Sequence, residues 1–226
     1  MSNSSGAQLL RGVIVEFDFA VLPGHRLLLD TCSARLSKEG VSLDQTLMAR
    51  CMTGKSFSAG LNALCNKQQK TLDVPTVIAE CNGLFAAALT SALPQVPAGF
   101  VAFVSALLSK GLKVVLVSRV ESEAVLALFQ TVATDKLVVS HETPNSFGFC
   151  SWDGWRRTCR KSELHEQLCV AVAGSGVSVK GALTAGLNVM VKENPITEYQ
   201  DVGGADVRIG DYSAALADEV VRIVRI

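Results

Sequence analysis

Short apolar runs rich in Val and Ile recur along this chain, and most are followed by a segment whose apolar residues have helical spacing. Runs of this length that do not alternate with polar residues are typical of strands buried on both faces of a sheet. They occupy residues 12–17, 112–117, 136–140, 168–172, 187–192 and 205–209. Helical patterns occupy 99–109, 121–130, 154–160, 177–185 and 214–224. This alternation predicts an α/β fold with a mostly parallel sheet and right-handed crossovers.

The stretch from 27 to 93 lacks such runs. Its apolar residues recur at helical spacing, among them Leu43, Leu47, Phe57, Leu61, Val77, Cys81 and Phe85. Turn residues interrupt it near Gly40, Gly54 and Pro75. We therefore predict three or four short helices inserted after the first strand. Such an insertion is expected to cover the carboxyl edge of the sheet, where folds of this class bind ligands.

The composition limits the partners of such a protein. The 226 residues include 21 Lys and Arg against 21 Asp and Glu, and 49% are hydrophobic. Zero net charge argues against nucleic acid as a partner, since phosphate backbones require a basic surplus or stripe. No apolar run reaches the roughly 18 residues of a membrane span, and the first residues do not resemble a signal peptide. We expect a cytoplasmic protein that binds neither nucleic acid nor membrane.

The seven cysteines support the same compartment. They are odd in number, widely spread and contain no Cys-x-x-Cys pair. This pattern favours thiols in a reducing cytoplasm over a disulfide framework or a zinc site.

Two acidic residues, Glu16 and Asp18, follow the first strand at alternate positions. At a bend between strand and loop both can face one site, where a metal ion, a basic group or water must accompany buried carboxylates. The alternative is an ordinary acidic strand end, solvated or paired with an arginine. The pair alone favours this alternative.

Two loops further along could bind anions. Ser118 and Glu121 have the spacing of a capping box, which explains Ser118 without a ligand, although a helix N-terminus also suits an anion. The loop around Gly174 and Gly176 has neither the dinucleotide-binding nor the P-loop spacing, because Val179 stands at the third glycine and no Gly-Lys-Ser/Thr follows. We interpret it as a plain connection between strand and helix.

Taken in order, these elements resemble the haloacid dehalogenase-like (HAD) superfamily, in its phosphatase and phosphoglucomutase-like branch with a helical cap. The segments that carry the resemblance are 13–18, 34–40, 52–56, 97–104, 111–118 and 169–191. The resemblance covers nearly the whole chain. It implies a Rossmannoid three-layer sandwich of residues 1–21 and 94–226, with a cap of residues 22–93.

The resemblance also implies site residues. The nucleophilic, metal-binding Asp of the family falls on Glu16, its acid/base Asp on Asp18, and its phosphate-binding hydroxyl on Ser118, with Arg119 as a second phosphate-binding candidate. A metal ion, if one is bound, would be held by Glu16 and the Asp18 backbone. The family's lysine falls near Phe149, and its late acidic pair falls on Ala173 and Gly174. Glu16 is longer by one methylene, which displaces the attacking oxygen by roughly 1.5 Å, and errors of about 1 Å can cost on the order of 10²-fold in rate.

These departures predict that the usual catalysis is impaired or lost, because phosphoryl transfer depends on positioning and charge neutralisation. We then expect no cofactor, and a role in binding a small ligand, such as a phosphate ester, in the cleft between cap and core, or a protein. The alternative is a divergent Mg²⁺-dependent phosphatase or sugar-phosphate mutase using Glu16 and Asp18. It would need a substitute charge or ligand, for which the candidates are Lys161, Lys180, Glu142 and Asp153.

The histidines and a basic aromatic cluster are two further groups of candidate residues. His25, His141 and His165 lack metal-ligand spacing, so we expect surface or loop positions. Trp152 and Trp155 lie among Arg156, Arg157, Arg160 and Lys161, which one amphipathic helix with a solvated basic face explains. This cluster is nevertheless the surface that most suits a protein partner, since Trp and Arg are common in interaction hot spots.

Overall fold

A computed structural model describes residues 10–132, 135–141 and 151–224. Its sheet contains six strands, all paired in parallel, in the order β3-β2-β1-β4-β5-β6. They are β1 Leu10–Glu16, β2 Lys113–Ser118, β3 Leu137–His141, β4 Leu164–Ala173, β5 Asn188–Lys192 and β6 Val207–Ile209. All six predicted strands are confirmed. The strand order reverses beside β1, so the carboxyl ends of β1, β2 and β4 form the crevice where such sheets bind ligands.

Nine helices lie in the described part of the chain. They are α1 Gly24–Ser37, α2 Gln45–Leu47, α3 Phe57–Gln68, α4 Val74–Ala92, α5 Ala98–Ser109, α6 Ser122–Leu126, α7 Trp152–Lys161, α8 Gly176–Thr184 and α9 Leu216–Ile223. Two π-helical turns, Phe17–Val21 and Met48–Met52, and two 3₁₀ turns, Leu93–Gln95 and Ala127–Phe129, interrupt them. The predicted helix over 121–130 is therefore a short α-helix followed by a 3₁₀ turn.

The sheet is covered on both faces. Val13 and Val15 of β1 belong to one buried cluster, together with side chains of α5 and α9. Ile14 faces the other cluster, which contains Trp155 of α7 and Val179 of α8. Alternate residues of a strand point to opposite faces, so β1 contributes to both. The predicted three-layer α/β architecture is thereby confirmed.

The segment α1–α4 is all-helical, as its apolar spacing predicts. Asp44, Ser56 and Asp73 cap α2, α3 and α4 by accepting backbone N–H groups. Helices α1 and α4 pack together, and their buried side chains join the cluster on one face of the sheet. We call α1–α4 the helical segment; its treatment as a separate domain of residues 22–93 stays a prediction.

One stretch of the helical segment is unusually apolar. Among the described residues, Val74–Gln95 is the one helix long and apolar enough to span a membrane by length and composition. The sequence-based expectation is that no apolar run reaches the length of a membrane span, and this helix departs from it. A third of it is buried inside the protein, and core helices of globular domains commonly have this composition.

Candidate functional site

The turn after β1 determines where the two acidic side chains point. Phe17–Val21 forms a single π-helical turn, closed by the Leu22 N–H donating to the Phe17 carbonyl at 3.1 Å. The chain then enters α1 at Gly24, where a Cβ would lie 2.0 Å from the Asp18 carbonyl oxygen. Only glycine lets the start of α1 approach the Asp18 backbone this closely. The turn brings Asp18 to the end of β2, while Glu16 stays at the end of β1.

Glu16 is buried, with 2% of its surface exposed. Its Oε2 accepts the backbone N–H of Gly174 at 2.9 Å. Gly174 belongs to the loop between β4 and α8, so this bond joins β1 to its neighbour on one side. The carboxylate proposed as a nucleophile is thus engaged by the protein's own backbone.

Asp18 makes the matching connection on the other side. The Ser118 hydroxyl donates to its Oδ1 at 2.6 Å, and the Arg119 N–H donates to its Oδ2 at 2.9 Å. Burial raises the pKa of Asp18, and these two hydrogen bonds and the Arg119 charge oppose that rise. The Ser118 hydroxyl, to which the resemblance assigns phosphate binding, therefore donates to an internal carboxylate.

The capping box predicted at Ser118 is wrong. Helix α6 begins at Ser122, and its N-cap, Glu121, makes no side-chain capping bond. The Ser118 hydroxyl instead accepts the Val120 N–H at 3.0 Å. The Ser118 hydroxyl thus donates to Asp18 and accepts from Val120, and these two hydrogen bonds order the loop after β2.

Arg119 connects this loop to the helical segment. Its guanidinium carbon lies 5.0 Å from the centroid of the Phe85 ring on α4, and the residue is 7% exposed. Such a cation–π contact is stronger when water is excluded. The Phe85 ring also lies 5.8 Å from that of Phe19. The helical segment thus covers the carboxyl edge of the sheet at these residues.

His25 was missed by sequence reasoning, which expected a surface or loop position. It is fully buried on α1, and its Nε2 lies 2.9 Å from the Gly174 carbonyl oxygen. A carbonyl only accepts, so Nε2 carries the proton. Burial lowers the pKa of His25 to about 4, which keeps the ring neutral at physiological pH. A signal was present, because His25 shares helical spacing with Leu28, Leu29 and Cys32.

Of the two positions to which the resemblance assigns the late acidic pair, 174 has no room for a side chain and 173 is fully buried. A Cβ on Gly174 would lie 2.6 Å from both the carbonyl carbon and oxygen of Phe19. The peptide groups of Gly174 are also occupied, its N–H by Glu16 and its carbonyl by His25. Ala173 is fully buried in the sheet. The β4–α8 loop is therefore shaped around the turn after β1.

The described residues offer few ligands for a magnesium ion. No group of three or more His, Cys, Asp or Glu side chains able to hold a metal occurs within residues 10–132, 135–141 and 151–224. Mg²⁺ requires an octahedron of oxygen ligands, whereas the buried carboxylates here accept N–H and O–H donors.

The residues considered as substitutes for the missing lysine and metal ligands have other partners, are exposed, or fall outside the described residues. Lys180 pairs with Asp201 at 3.8 Å, and Asp153 pairs with Arg157 at 2.9 Å. Lys161 lies on the exposed side of α7. Glu142 and Phe149 fall outside the described residues. The first turn of α8 is also satisfied internally, since Gln200 and Ser175 accept the N–H groups of Val177 and Ser178.

Solved structures identify the architecture. β-Phosphoglucomutase from Clostridium difficile superposes with a TM-score of 0.70 at 14% identity, over 95% of this chain and 96% of that one. CbbY from Rhodobacter sphaeroides, in complex with phosphate, gives 0.66 at 14% identity, over 92% and 96%. A HAD family hydrolase from Deinococcus radiodurans, with bound phosphate and sodium, gives 0.60 at 18% identity, over 95% and 96%.

The chain has the HAD fold. The resemblance seen in the ordered sequence segments is thereby confirmed at the level of the fold, along nearly the full length of the HAD-fold chains compared. No family model matches the sequence, and no curated protein does.

Proposed function

We propose that this HAD-fold chain acts by binding, without phosphoryl-transfer activity. The observation that carries the proposal is the hydrogen bond from the Gly174 N–H to the buried Glu16 carboxylate. A nucleophile must face its substrate, and here the equivalent side chain holds a loop together. Asp18 does the same on the opposite side through Ser118 and Arg119.

The charge distribution supports this proposal. Phosphoryl transfer requires positive charge around the phosphoryl oxygens, commonly from a metal ion and a lysine. The described site holds two buried carboxylates and a neutral histidine, with Arg119 as its nearby cation. Gly174 cannot gain an acidic side chain without moving the backbone of Phe19.

We place the ligand in the cleft between the helical segment and the carboxyl edge of the sheet. CbbY structures contain phosphate and xylulose 1,5-bisphosphate, which supports a small phosphate ester as one candidate. The Arg119 guanidinium would favour an anion there. A protein partner is the other candidate. Six described cysteines are buried thiols, which supports a reducing cytoplasmic location.

A second candidate function is a divergent phosphatase or mutase. The upward shift that burial gives the pKa of Asp18 supports it in direction, because a general acid must keep its proton at a higher pH than an ordinary carboxyl group does. In this candidate Asp18 would deliver that proton and Glu16 would attack.

Hydrolysis of p-nitrophenyl phosphate and of sugar phosphates tests both candidates, with Mg²⁺ and with EDTA. We expect no turnover above that of Glu16→Gln, which keeps a side-chain acceptor for the Gly174 N–H. Arg222→Ala, at an exposed position of α9, serves as the matched control for handling. Turnover that disappears both in EDTA and in Glu16→Gln would overturn the first proposal and establish the second.

A further inference from the structure

Helix α7 presents an exposed face that the site at the sheet edge does not use. Four of its ten residues are basic and one, Asp153, is acidic, although the whole chain has no net charge. Trp152 at its start is 49% exposed, which is unusual for the largest aromatic side chain. We call the set Trp152, Arg156, Arg157, Arg160 and Lys161 the α7 face.

The spacing of these residues explains why they share one surface. Trp152, Arg156 and Arg160 are four residues apart, as are Arg157 and Lys161, so each series runs along the helix. The opposite side of α7 carries Trp155, Thr158 and Cys159, which are buried where α7 packs on β4 and α8. The packing of the fold is thus complete on one side of α7, and the basic side faces solvent.

Part of the α7 face is already ordered for binding. The Arg156 guanidinium carbon lies 5.6 Å from the centroid of the Trp152 ring. Its Nε also donates to the Ala185 carbonyl at the end of α8, at 3.4 Å. Arg157 is aligned by Asp153 at 2.9 Å. A partner therefore meets a guanidinium already held in cation–π contact with an indole, with little further loss of side-chain freedom.

The charge of the α7 face determines the partner. We propose that it docks an acidic segment of another protein, with carboxylates on Arg156 and Arg160 and an apolar side chain on Trp152. Guanidinium groups bind carboxylates in a bidentate manner, and Trp and Arg dominate protein interfaces. Helix α7 is about 15 Å long, which matches four or five residues of extended peptide.

Nucleic acid is the less suitable anion. A protein that binds nucleic acid stably commonly neutralises about six to ten phosphates with the lysines and arginines of a basic surface. The α7 face has four cations on one short helix, and the chain as a whole is neutral. The proposal concerns a surface of α7 and holds whether or not the sheet edge is catalytic.

Fluorescence anisotropy with a labelled peptide of alternating Glu and Gly tests this docking surface on the full chain. We expect binding that weakens with salt and is reduced at least about tenfold in Trp152→Ala and in Arg160→Glu. Arg222→Glu, an equivalent charge reversal on α9, is expected to leave binding unchanged. Circular dichroism establishes that each variant is folded.

Three results would overturn the proposal: no binding of the Glu-Gly peptide, equal loss in Arg222→Glu, or tighter binding of an oligothymidylate or of anionic lipid vesicles than of the peptide. A Gln-Gly peptide of the same length is expected not to bind. The phosphatase assay reports separately on Glu16, so failure of one proposal is distinguishable from failure of the other.

Discussion

At the scale of single residues, the site depends on how buried polar groups are satisfied. Glu16 ends β1, Asp18 lies in the turn that follows, and His25 lies at the start of α1; each is hydrogen-bonded to a neighbouring loop. A buried donor or acceptor that loses its partner costs about 1–3 kcal/mol. These residues therefore matter to stability whatever they do in function.

Replacing Glu16 tests that role directly. Glu16→Ala removes the acceptor of the buried Gly174 N–H, so we expect the free energy of unfolding to fall by about 1–3 kcal/mol. Glu16→Gln keeps an acceptor oxygen and should lose less. Urea unfolding measures both, with Glu193→Ala at an exposed ion pair as the control. Equal stability of Glu16→Ala and the wild type would mean that the bond contributes nothing.

The neutral His25 predicts a pH dependence. Its pKa is about 4 in the folded chain against 6.5 in the unfolded chain, so the unfolded state binds the proton first. Stability from this group is present above pH 6.5 and is lost as the pH falls toward 4, by up to about 3 kcal/mol.

Comparing the urea unfolding of wild type and His25→Gln across that range isolates the contribution. Glutamine retains an N–H donor for the Gly174 carbonyl and does not titrate. The wild type should lose stability relative to the variant as the pH is lowered. A constant difference between them would show that His25 titrates normally.

At the scale of elements, the β4–α8 loop and the π-helical turn Phe17–Val21 fit against each other at Gly174. The contact has no space for a side chain, since a Cβ there would meet the backbone of Phe19. Backbone atoms cannot rotate away as a side chain would. The shape of the two loops thus depends on this glycine.

Gly174→Asp introduces an acidic residue at a position where the family resemblance implies one. We expect it to destabilise the protein by at least about 3 kcal/mol, through overpacking and a buried charge, and to confer no Mg²⁺ binding. Thermal unfolding with and without Mg²⁺ measures both effects. Gly210→Asp, where a Cβ meets nothing within 4 Å, is the matched control. A melting temperature that rises with Mg²⁺ in Gly174→Asp would contradict the expectation.

The elements of the sheet could be predicted from sequence, whereas the site contacts could not. Buried parallel strands are continuous apolar runs, so β1 through β6 leave a local signal. The π-helical turn has no such signal, because its residues, Phe17–Val21, resemble a continuing strand. The bonds from Glu16 and His25 to Gly174 join residues 158 and 149 positions apart. Only the folded chain brings these together.

At the scale of the whole molecule, the helical segment and the sheet share buried side chains. One cluster runs from α1 and α4 through β1 and β2 to α5 and α9. The contact of Arg119 with Phe85 adds to this connection. We therefore expect the two parts to unfold together.

The two tryptophans offer a test of this cooperativity. Both lie on α7, outside the helical segment, so their fluorescence reports on the sheet and its helices. Far-ultraviolet circular dichroism reports on all helices. We expect the two urea transitions to coincide in the wild type. An earlier transition by circular dichroism alone would show that the helical segment unfolds independently.

The N–H and the carbonyl of Gly174 are both hydrogen-bonded, to Glu16 and to His25, and this limits which substitutions near the site can be accepted singly. Shortening Glu16 to aspartate withdraws the acceptor from the Gly174 N–H, and adding an acidic side chain at 174 requires the backbone of Phe19 to move. Each of these two substitutions alone is therefore expected to lower stability. Proteins tolerate few such losses. The contact at Gly174 thus opposes one-at-a-time replacement of residues 16 and 174 by aspartate, and only changes that also move the turn after β1 avoid that cost.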